Sequence, residues 1–143
     1  MDDDARRSRL NALIGDWKTT VTMINADGSD GAVFRASDIY SWSANGKFVQ
    51  HDVDADMEGI RVQSLEVIAL DPSGKGYISR SYDPDSTYSN FACELGGRPW
   101  RIVGDVQCFA GELSDDGKTL SGRWSQSDGS GNWLPLMEVT LQK

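Results

Sequence analysis

The chain has 143 residues, of which 38% are hydrophobic and 25% charged, with a formal net charge of −8 and a pI near 4.5. A chain of this length buries a full core without disulfides or metal ions, so we expect one domain over residues 1–143. The acidic balance argues against nucleic acid and anionic membrane surfaces as partners, because both attract basic faces. No apolar run is long enough to span a bilayer, and Met1-Asp2-Asp3-Asp4 is unlike the start of a secretory signal. We therefore expect a cytoplasmic protein.

A single short helix is predicted over residues 3–14. Its first turn is acidic, which suits the positive end of the helix dipole, and Gly15 is a typical helix stop. Leu10, Leu13 and Ile14 form a narrow apolar stripe along it. The helix is therefore expected to cover a larger apolar body.

Residues 16–142 are predicted to form strands and turns only. The strands are separated by tight-turn pairs such as Asn45-Gly46, Ser73-Gly74 and Asp116-Gly117. About ten strands joined in this way, without a crossover helix, indicate an antiparallel meander. The predicted strands are 17–24, 32–42, 47–54, 60–70, 77–82, 87–95, 100–103, 106–113, 120–126 and 133–141.

The distribution of apolar residues predicts that this meander closes on itself. Carried from turn to turn, the strand alternation places nearly all large apolar residues on one face, including Ile78 and all five tryptophans. An open sheet of this size would leave two exposed edges, and pairing the last strand with the first removes both. We therefore predict an all-β fold, a single antiparallel up-and-down barrel of about ten strands. Gly111 is expected to lie opposite Gly122. Because neither residue has a side chain, the barrel wall would be thin there and would leave room for a ligand or for the ring of Trp124.

The first hairpin sets the direction of the only histidine. Asn-Gly is the preferred pair for a type I′ turn, in which both central residues need positive φ, and Asn45-Gly46 lies between two alternating segments. With this pair at the tip, Trp42 lies opposite Val49 and Tyr40 lies opposite His51. Because side chains alternate along a strand, these four share one face. His51 is therefore predicted to point inward.

The same counting extends a polar row across the next strands. If Glu58-Gly59 forms a two-residue tip, His51 lies opposite Glu66. If residues 71–75 form a type I turn with a glycine bulge, Glu66 lies opposite Arg80, with Tyr82 beside it. A slip of one residue at either turn would move Glu66 or Arg80 to the outside.

The candidate ligand-binding residues combine this polar row with aromatic residues of the interior. We expect the row to orient the polar end of a small apolar or amphipathic molecule whose body lies against the aromatic rings. The eight candidates are Tyr40, Trp42, His51, Glu66, Arg80, Tyr82, Phe109 and Trp124.

Two other interpretations stay open. A Glu66–Arg80 pair capped by His51 satisfies its buried charges without a ligand, which would make the row the structural network of a ligand-free barrel. Alternatively, His51 and Glu66 form the acid–base pair of a small-molecule enzyme. The sequence contains no nucleophile elbow, phosphate loop or Cys–His pairing to support such chemistry.

The cysteines and the single histidine bear on metal binding and redox state. Cys93 and Cys108 lack metal-type spacing and are predicted to be reduced thiols, with Cys93 facing inward and Cys108 outward. No second histidine is present to complete a zinc site with His51, so we expect no metal.

The start of the first strand resembles a known superfamily. Gly15-Asp16-Trp17 after a short helix is similar to the Gly-x-Trp start of calycin-like proteins, which include lipocalins, fatty-acid-binding proteins and nitrobindin-type haem barrels. Residues 10–143 look like a bacterial branch of that superfamily. The stretches that carry this likeness are Gly46-Lys47-Phe48-Val49-Gln50-His51, Ser64-Leu65-Glu66-Val67-Ile68, Ser81-Tyr82-Asp83 and Asp116-Gly117-Lys118-Thr119-Leu120-Ser121-Gly122.

Departures from these relatives limit what the resemblance implies. Fatty-acid-binding barrels place two helices between their first two strands, where this chain has only residues 25–31, and bind a carboxylate with internal arginines. Nitrobindin-type barrels resemble this chain but ligate haem iron through a histidine near the C-terminus, which is absent here. Haem bound through His51 would need a different geometry, so we expect no cofactor. Exposed apolar residues predict a candidate homodimer patch, formed by Val103, Val106, Leu134 and Leu136.

Overall fold

The structure, a computed structural model, describes residues 2–143, so Met1 lies outside the described residues. Helix α1 (Asp3–Arg9) is followed by a 3-10 turn (Leu10–Ala12), which together occupy most of the predicted helical segment. All remaining regular structure in residues 2–143 is β-strand, as predicted. The strands are β1 (Gly15–Ile24), β2 (Asp30–Trp42), β3 (Val49–Met57), β4 (Ile60–Leu70), β5 (Tyr77–Tyr82), β6 (Tyr88–Leu95), β7 (Pro99–Val103), β8 (Gln107–Leu113), β9 (Thr119–Ser127) and β10 (Trp133–Gln142).

The ten strands form a closed barrel in which each strand pairs with its sequence neighbours. The last strand returns to the first, with Lys18 opposite Gln142 and Met23 opposite Met137. Every pairing is antiparallel, so the predicted up-and-down barrel with one short N-terminal helix is confirmed. Within residues 2–143, no helix has the length and apolar character needed to cross a bilayer.

The N-terminal segment covers one end of the barrel. Leu10 and Leu13 are almost completely buried against the core, next to Trp17. The Trp17 indole nitrogen donates to the Leu13 carbonyl at 2.8 Å, which ties the end of the segment to β1. Trp42 also belongs to this end, because its indole nitrogen donates to Asn11 Oδ1 at 2.8 Å. This end of the lumen is therefore filled by side chains.

Arg6 fastens the helix to the turn between β4 and β5. Its guanidinium donates to the carbonyl oxygens of Asp71 and Gly76, at 3.3 and 2.8 Å. The Tyr77 hydroxyl donates to the Arg6 carbonyl at 2.9 Å. A buried arginine is tolerated here because backbone oxygens and Asp3 accept from it.

The register of the β2–β3 hairpin agrees with the prediction, but its turn is of another type. Tyr40 lies opposite His51 and Trp42 opposite Val49. Asn45 does not have positive φ, and the turn is closed by Gly46 N–H donating to the Ser43 carbonyl at 2.9 Å. The four-residue loop is centred on Asn45-Gly46, so the register is the one that a two-residue tip would produce.

The β4–β5 connection overturns the predicted Glu66–Arg80 pairing. The loop extends to Gly76, whose φ is +65°, and Asp71 N–H donates to the Gly76 carbonyl at 3.2 Å. This loop holds one residue more than the predicted 71–75 turn. Glu66 therefore lies opposite Ser81, and Arg80 pairs with Val67 on the outer face. The same slip exposes Ile78, which was predicted to point inward.

A bulge in β10 corrects a second inward prediction. The pairing with β9 shifts between Pro135 and Met137, so that Met137 lies opposite Trp124 while Trp133 lies opposite Ser127. Trp133 is 45% exposed at the end of the strand, whereas all five tryptophans were expected inside. One additional residue at a bulge reverses the facing of the residues before it.

Two glycines on neighbouring strands make room for an aromatic ring. Gly111 lies opposite Gly122, as predicted. A Cβ atom at Gly111 would lie 2.5 Å from Phe109 Cζ, and one at Gly122 would lie 2.7 Å from the same atom. The thinned wall therefore holds the ring of Phe109 rather than that of Trp124.

We predict that Gly122→Ala destabilises the barrel by about 1–3 kcal/mol, the usual cost of overpacking. The new Cβ would lie 2.4 Å from the Ala110 carbonyl oxygen, which belongs to the backbone and cannot rotate away. The measurement is the free energy of unfolding from urea denaturation.

Gly96→Ala is the matched control, because a Cβ there meets no atom of residues 2–143 within 4 Å. Its unfolding free energy should change by less than about 0.5 kcal/mol. Equal effects of the two substitutions would contradict the packing explanation.

Candidate functional site

The lumen of the barrel contains a cavity of about 500 Å³ to which all ten strands contribute side chains. This volume lies within the range of roughly 300–1,000 Å³ that is usual for small-molecule sites. Its wall is mostly aliphatic, aromatic and thioether. The apolar lining residues are Val21, Met23, Phe34, Ala36, Val53, Ala55, Met57, Phe91, Trp100, Ile102, Phe109, Leu120, Trp124, Met137, Val139 and Leu141.

Polar side chains occupy one sector of this wall. His51 on β3 lies between two carboxylates, with its Nε2 2.6 Å from Asp38 Oδ1 and its Nδ1 2.8 Å from Glu66 Oε1. Thr19 on β1 donates to the other oxygen of Asp38. Four adjacent strands thus supply one residue each to a continuous hydrogen-bonded belt, which we call the acidic belt: Thr19, Asp38, His51 and Glu66.

Tyr40 covers one face of the histidine ring. The two ring centroids are 3.9 Å apart and the ring planes differ by 11°, as in a stacked pair. Cross-strand placement explains the contact, since Tyr40 and His51 are direct partners in the β2–β3 ladder. The face of a phenol ring attracts a cation, so the stacking favours a protonated imidazole.

His51 is protonated at neutral pH. Burial alone would lower its pKa, but the hydrogen bonds and charges of Asp38 and Glu66 outweigh burial and raise the pKa from 6.5 to about 9. Each ring nitrogen then carries a proton and donates it to one carboxylate. The imidazole keeps no lone pair with which to accept a proton from another molecule.

The groups around the belt are held in their neutral forms. Burial, followed by the charges of Glu66 and Asp38, raises the pKa of Tyr40 well above its ordinary value. Burial and the charge of Glu66 raise the pKa of the Cys93 thiol to about 12, and its sulfur lies 3.5 Å from Ser79 Oγ. Both cysteines are free, as predicted, and the buried Cys93 is an unreactive thiol.

Five of the eight predicted site residues line the lumen, and three do not. The structure brings together Tyr40, His51, Glu66, Phe109 and Trp124 around one cavity. Trp42 is half-buried beneath the N-terminal segment, at the covered end of the barrel.

Arg80 and Tyr82 lie on the outside, which corrects their predicted inward positions. Arg80 Nε donates to Asn90 Oδ1 at 2.9 Å, and the guanidinium stands 4.3 Å from the ring centroid of Tyr88. Tyr82 packs against the same ring, with centroids 5.8 Å apart. The extra loop residue at Gly76 is the physical reason, because it exchanges the two faces of β5.

The residues that sequence reasoning undervalued are Asp38, Thr19 and Ser81. Asp38 lies two positions before Tyr40 and therefore on the same inward face of β2. Because Tyr40 is directly opposite His51, the sequence already indicated a carboxylate next to the only histidine. Thr19 carries no local signal, because its partner Asp38 lies 19 residues away. Ser81 enters the lumen only through the β4–β5 slip.

A second depression, of about 520 Å³, lies outside the lumen between helix α1 and the turn before β5. Its lining includes Arg6, Arg9 and Lys75. The two arginines already donate to backbone carbonyls of residues 71, 76 and 95, so this depression is the seam where the helix docks. Within residues 2–143, no group of three or more His, Cys, Asp or Glu side chains is arranged to hold a metal ion.

Comparisons with known proteins support the fold and leave the ligand open. No family model and no curated protein matches the sequence. Among solved structures, Rv2717c from M. tuberculosis is similar with a TM-score of 0.70 at 10% identity, covering 99% of each chain. At that identity the likeness concerns the fold alone.

Two further solved structures have TM-scores below 0.5 and carry no conclusion. One is a de novo designed fluorescence-activating beta barrel, with a TM-score of 0.47, 12% identity and coverage of 100% and 99% of the two chains. The other is the S-type phycobiliprotein lyase CPES from Guillardia theta, with a TM-score of 0.48, 7% identity and coverage of 99% and 94%.

We predict that His51 titrates near pH 9 in the folded protein. Because its folded pKa lies above the ordinary 6.5, its stabilising effect is complete below pH 6.5 and is lost as the pH rises through 9. The free energy of unfolding should fall by about 3 kcal/mol between pH 6 and pH 9 from this group. The measurements are a ring-proton NMR titration, unambiguous with one histidine, and urea denaturation at both pH values. A midpoint near pH 6.5 would contradict the paired imidazolium.

We predict that Asp38→Asn and Arg80→Gln have very different costs. Asp38→Asn replaces the charged acceptor of a buried imidazolium by a neutral amide, and the loss of this charge-assisted hydrogen bond should destabilise the protein by about 1.5–3 kcal/mol. Arg80→Gln alters an exposed side chain and should change the unfolding free energy by less than about 1 kcal/mol. Urea denaturation of both variants at pH 7 is the measurement. A large loss in Arg80→Gln would support the overturned Glu66–Arg80 pairing.

Proposed function

We propose that this protein reversibly binds a small apolar or amphipathic molecule in its lumen. The observation that carries the proposal is the cavity of about 500 Å³, whose wall is predominantly apolar and includes a polar sector. Ligand sites commonly combine apolar walls with a few polar groups that fix orientation. In this arrangement the rings of Phe109 and Trp124 contact the body of the ligand, and the acidic belt faces its polar end.

The lumen opens at the barrel end opposite helix α1, and the surface around this mouth favours entry of such a ligand. Apolar side chains near the ends of the strands there are exposed, including Met57 at 38%, Ile60 at 68% and Trp133 at 45%. Met57 also lines the cavity itself. An apolar molecule arriving from solvent would therefore meet apolar surface before it enters the lumen.

An enzyme with His51 as general base is the weaker alternative. A general base needs a free lone pair within reach of the substrate proton. Both nitrogens of His51 donate to carboxylates, and its pKa is raised to about 9, so the ring is an ion-pair partner at neutral pH.

A ligand-free structural barrel is disfavoured for a different reason. The acidic belt does satisfy its own buried groups in part, as that interpretation requires. A barrel with only a structural role would be expected to fill its interior, since close packing stabilises the fold. The cavity volume therefore supports binding over a purely structural role.

The proposal extends to the superfamily, the cellular location and the oligomeric state of the protein. The resemblance at Gly15-Asp16-Trp17 and the closed ten-stranded barrel support membership of a bacterial, calycin-like branch of binding proteins, for which we propose a cytoplasmic location. The homodimer patch stays a prediction. Val103 and Val106 are 46% and 58% exposed, and Leu136 is half-buried. Leu134 is exposed at the rim, but the β10 bulge places it opposite Gln126, on the inner face of the sheet and away from the predicted outer patch.

We predict that Ala36→Phe weakens ligand binding by about tenfold or more, because the phenyl ring would occupy the cavity that Ala36 lines. The probe is N-phenyl-1-naphthylamine, a neutral apolar dye whose fluorescence increases when it leaves water. Its dissociation constant is measured by titration into wild-type and variant protein.

Ala110→Phe is the matched control, since Ala110 is exposed on the outer face of β8. It should bind the dye as the wild-type protein does. Absence of dye binding by the wild-type protein, or equal binding by all three proteins, would overturn the lumen as the site.

A further inference from the structure

Most of the charged side chains that line the lumen are negative. Asp38, Glu66 and Asp83 line it, and the imidazole of His51 is the one cationic group among its lining residues within 2–143. No lysine or arginine of that part of the chain lines this cavity. Arg80, the arginine expected inside, faces the exterior.

The one cation in the lumen is already neutralised. His51 donates one ring proton to Asp38 and the other to Glu66. Two carboxylates face one imidazole, so a protonated His51 leaves one carboxylate of the belt without a cationic partner. A buried net charge is costly unless a counter-charge or further hydrogen bonds satisfy it.

Glu66 presents an unused oxygen to the cavity. Its side chain is 10% exposed, and its Oε1 accepts from His51. Its Oε2 accepts no hydrogen bond from residues 2–143. The fully enclosed side-chain atoms without a partner in that range are Nε of Arg6 and Nε of Arg7, so Oε2 is not sealed within protein. Because Glu66 lines the lumen, this oxygen is open to a ligand there.

Hydroxyl groups continue from Glu66 toward the mouth. Ser81 lies directly opposite Glu66, and Ser89 lies opposite Ser81 on the next strand. Both serines line the lumen, as does Asp83 beyond them. Hydroxyl and carboxylate oxygens accept hydrogen bonds, and an alkylammonium group carries three N–H donors. The serine hydroxyls suit either kind of head group, whereas the carboxylates of Glu66 and Asp83 attract a cationic head group and repel an anionic one.

We propose that the lumen selects amphipathic molecules with a primary amine head over those with a carboxylate head. The ammonium group binds Glu66 Oε2, and the apolar body lies against the opposite wall at Phe109 and Trp124. This inference rests on the proposed lumen site and assigns its ligand class. An amine supplies the missing positive charge, whereas a carboxylate would add a second uncompensated negative charge beside Glu66.

The test is displacement of N-phenyl-1-naphthylamine by three molecules with the same eight-carbon chain: octylamine, octanol and octanoate. At pH 7 the amine is protonated and the acid ionised, so the three differ in head-group charge. Octylamine should displace the dye at a concentration about tenfold or more below that of octanoate, with octanol between them.

Two substitutions test which residues cause the preference for amine over carboxylate, and a third controls for the change in overall charge. Glu66→Gln keeps the shape of the side chain and should reduce the preference for amine over carboxylate severalfold. Asp83→Asn, at an exposed position at the mouth, should reduce the preference for amine over carboxylate less than Glu66→Gln does. It tests the effect of negative charge in the lumen even if Glu66→Gln fails to fold. Glu94→Gln removes a carboxylate from the exterior of β6 and should leave the preference unchanged.

The outcomes separate this inference from the proposal beneath it. Dye binding with equal displacement by amine and carboxylate, or stronger displacement by carboxylate, would overturn amine selection and leave the lumen site standing. An amine preference unchanged in both Glu66→Gln and Asp83→Asn would overturn the assigned residues. Failure of the dye to bind any folded form would overturn the lumen site itself.

Discussion

Closure of the sheet between β1 and β10 is the constraint on which the rest of the structure depends. Ten strands left open would expose two edges of unpaired backbone groups, and the ladder from Lys18–Gln142 to Met23–Met137 removes both. Closure converts the apolar face of a sheet into an enclosed lumen. Leu10 and Leu13 then cover one end of it, so that end of the lumen is closed by side chains. Polar groups buried in the wall of such a space need partners there, because burial without a hydrogen bond is costly.

The acidic belt shows how the barrel meets that requirement. It crosses β1, β2, β3 and β4 in order, with one side chain from each strand, so the hydrogen bonds run across the sheet as the backbone ladders do. Two carboxylates around one imidazolium satisfy most of the buried donors and acceptors. They also leave an excess negative charge and one carboxylate oxygen facing the cavity. A network optimised for stability alone would balance its charges, and this one does not.

The sign of the lumen charge distinguishes this barrel from the fatty-acid-binding proteins that its sequence resembles. Those barrels hold a carboxylate with internal arginines, whereas the arginine expected inside here, Arg80, donates to Asn90 on the outer face. The same strand number and closure can therefore enclose interiors whose charged side chains differ in sign. Fold similarity to Rv2717c, at 10% identity, carries no information on such details, because the charge of the interior depends on single side chains.

The sequence by itself determined the strand number, the antiparallel order, the closure and the inward direction of His51. These features follow from alternating apolar residues and turn pairs, which are local signals, and the loop around Asn45-Gly46 kept the predicted register even with a different turn type. Only the tertiary structure decided which residues surround His51. Gly76, whose φ is positive, lengthens the β4–β5 loop by one residue. Because a shift of one residue turns every side chain of a strand to the opposite face, Ser81 takes the position opposite Glu66 that was predicted for Arg80. Contacts such as Thr19 with Asp38 join residues far apart in the chain, and no local pattern encodes them.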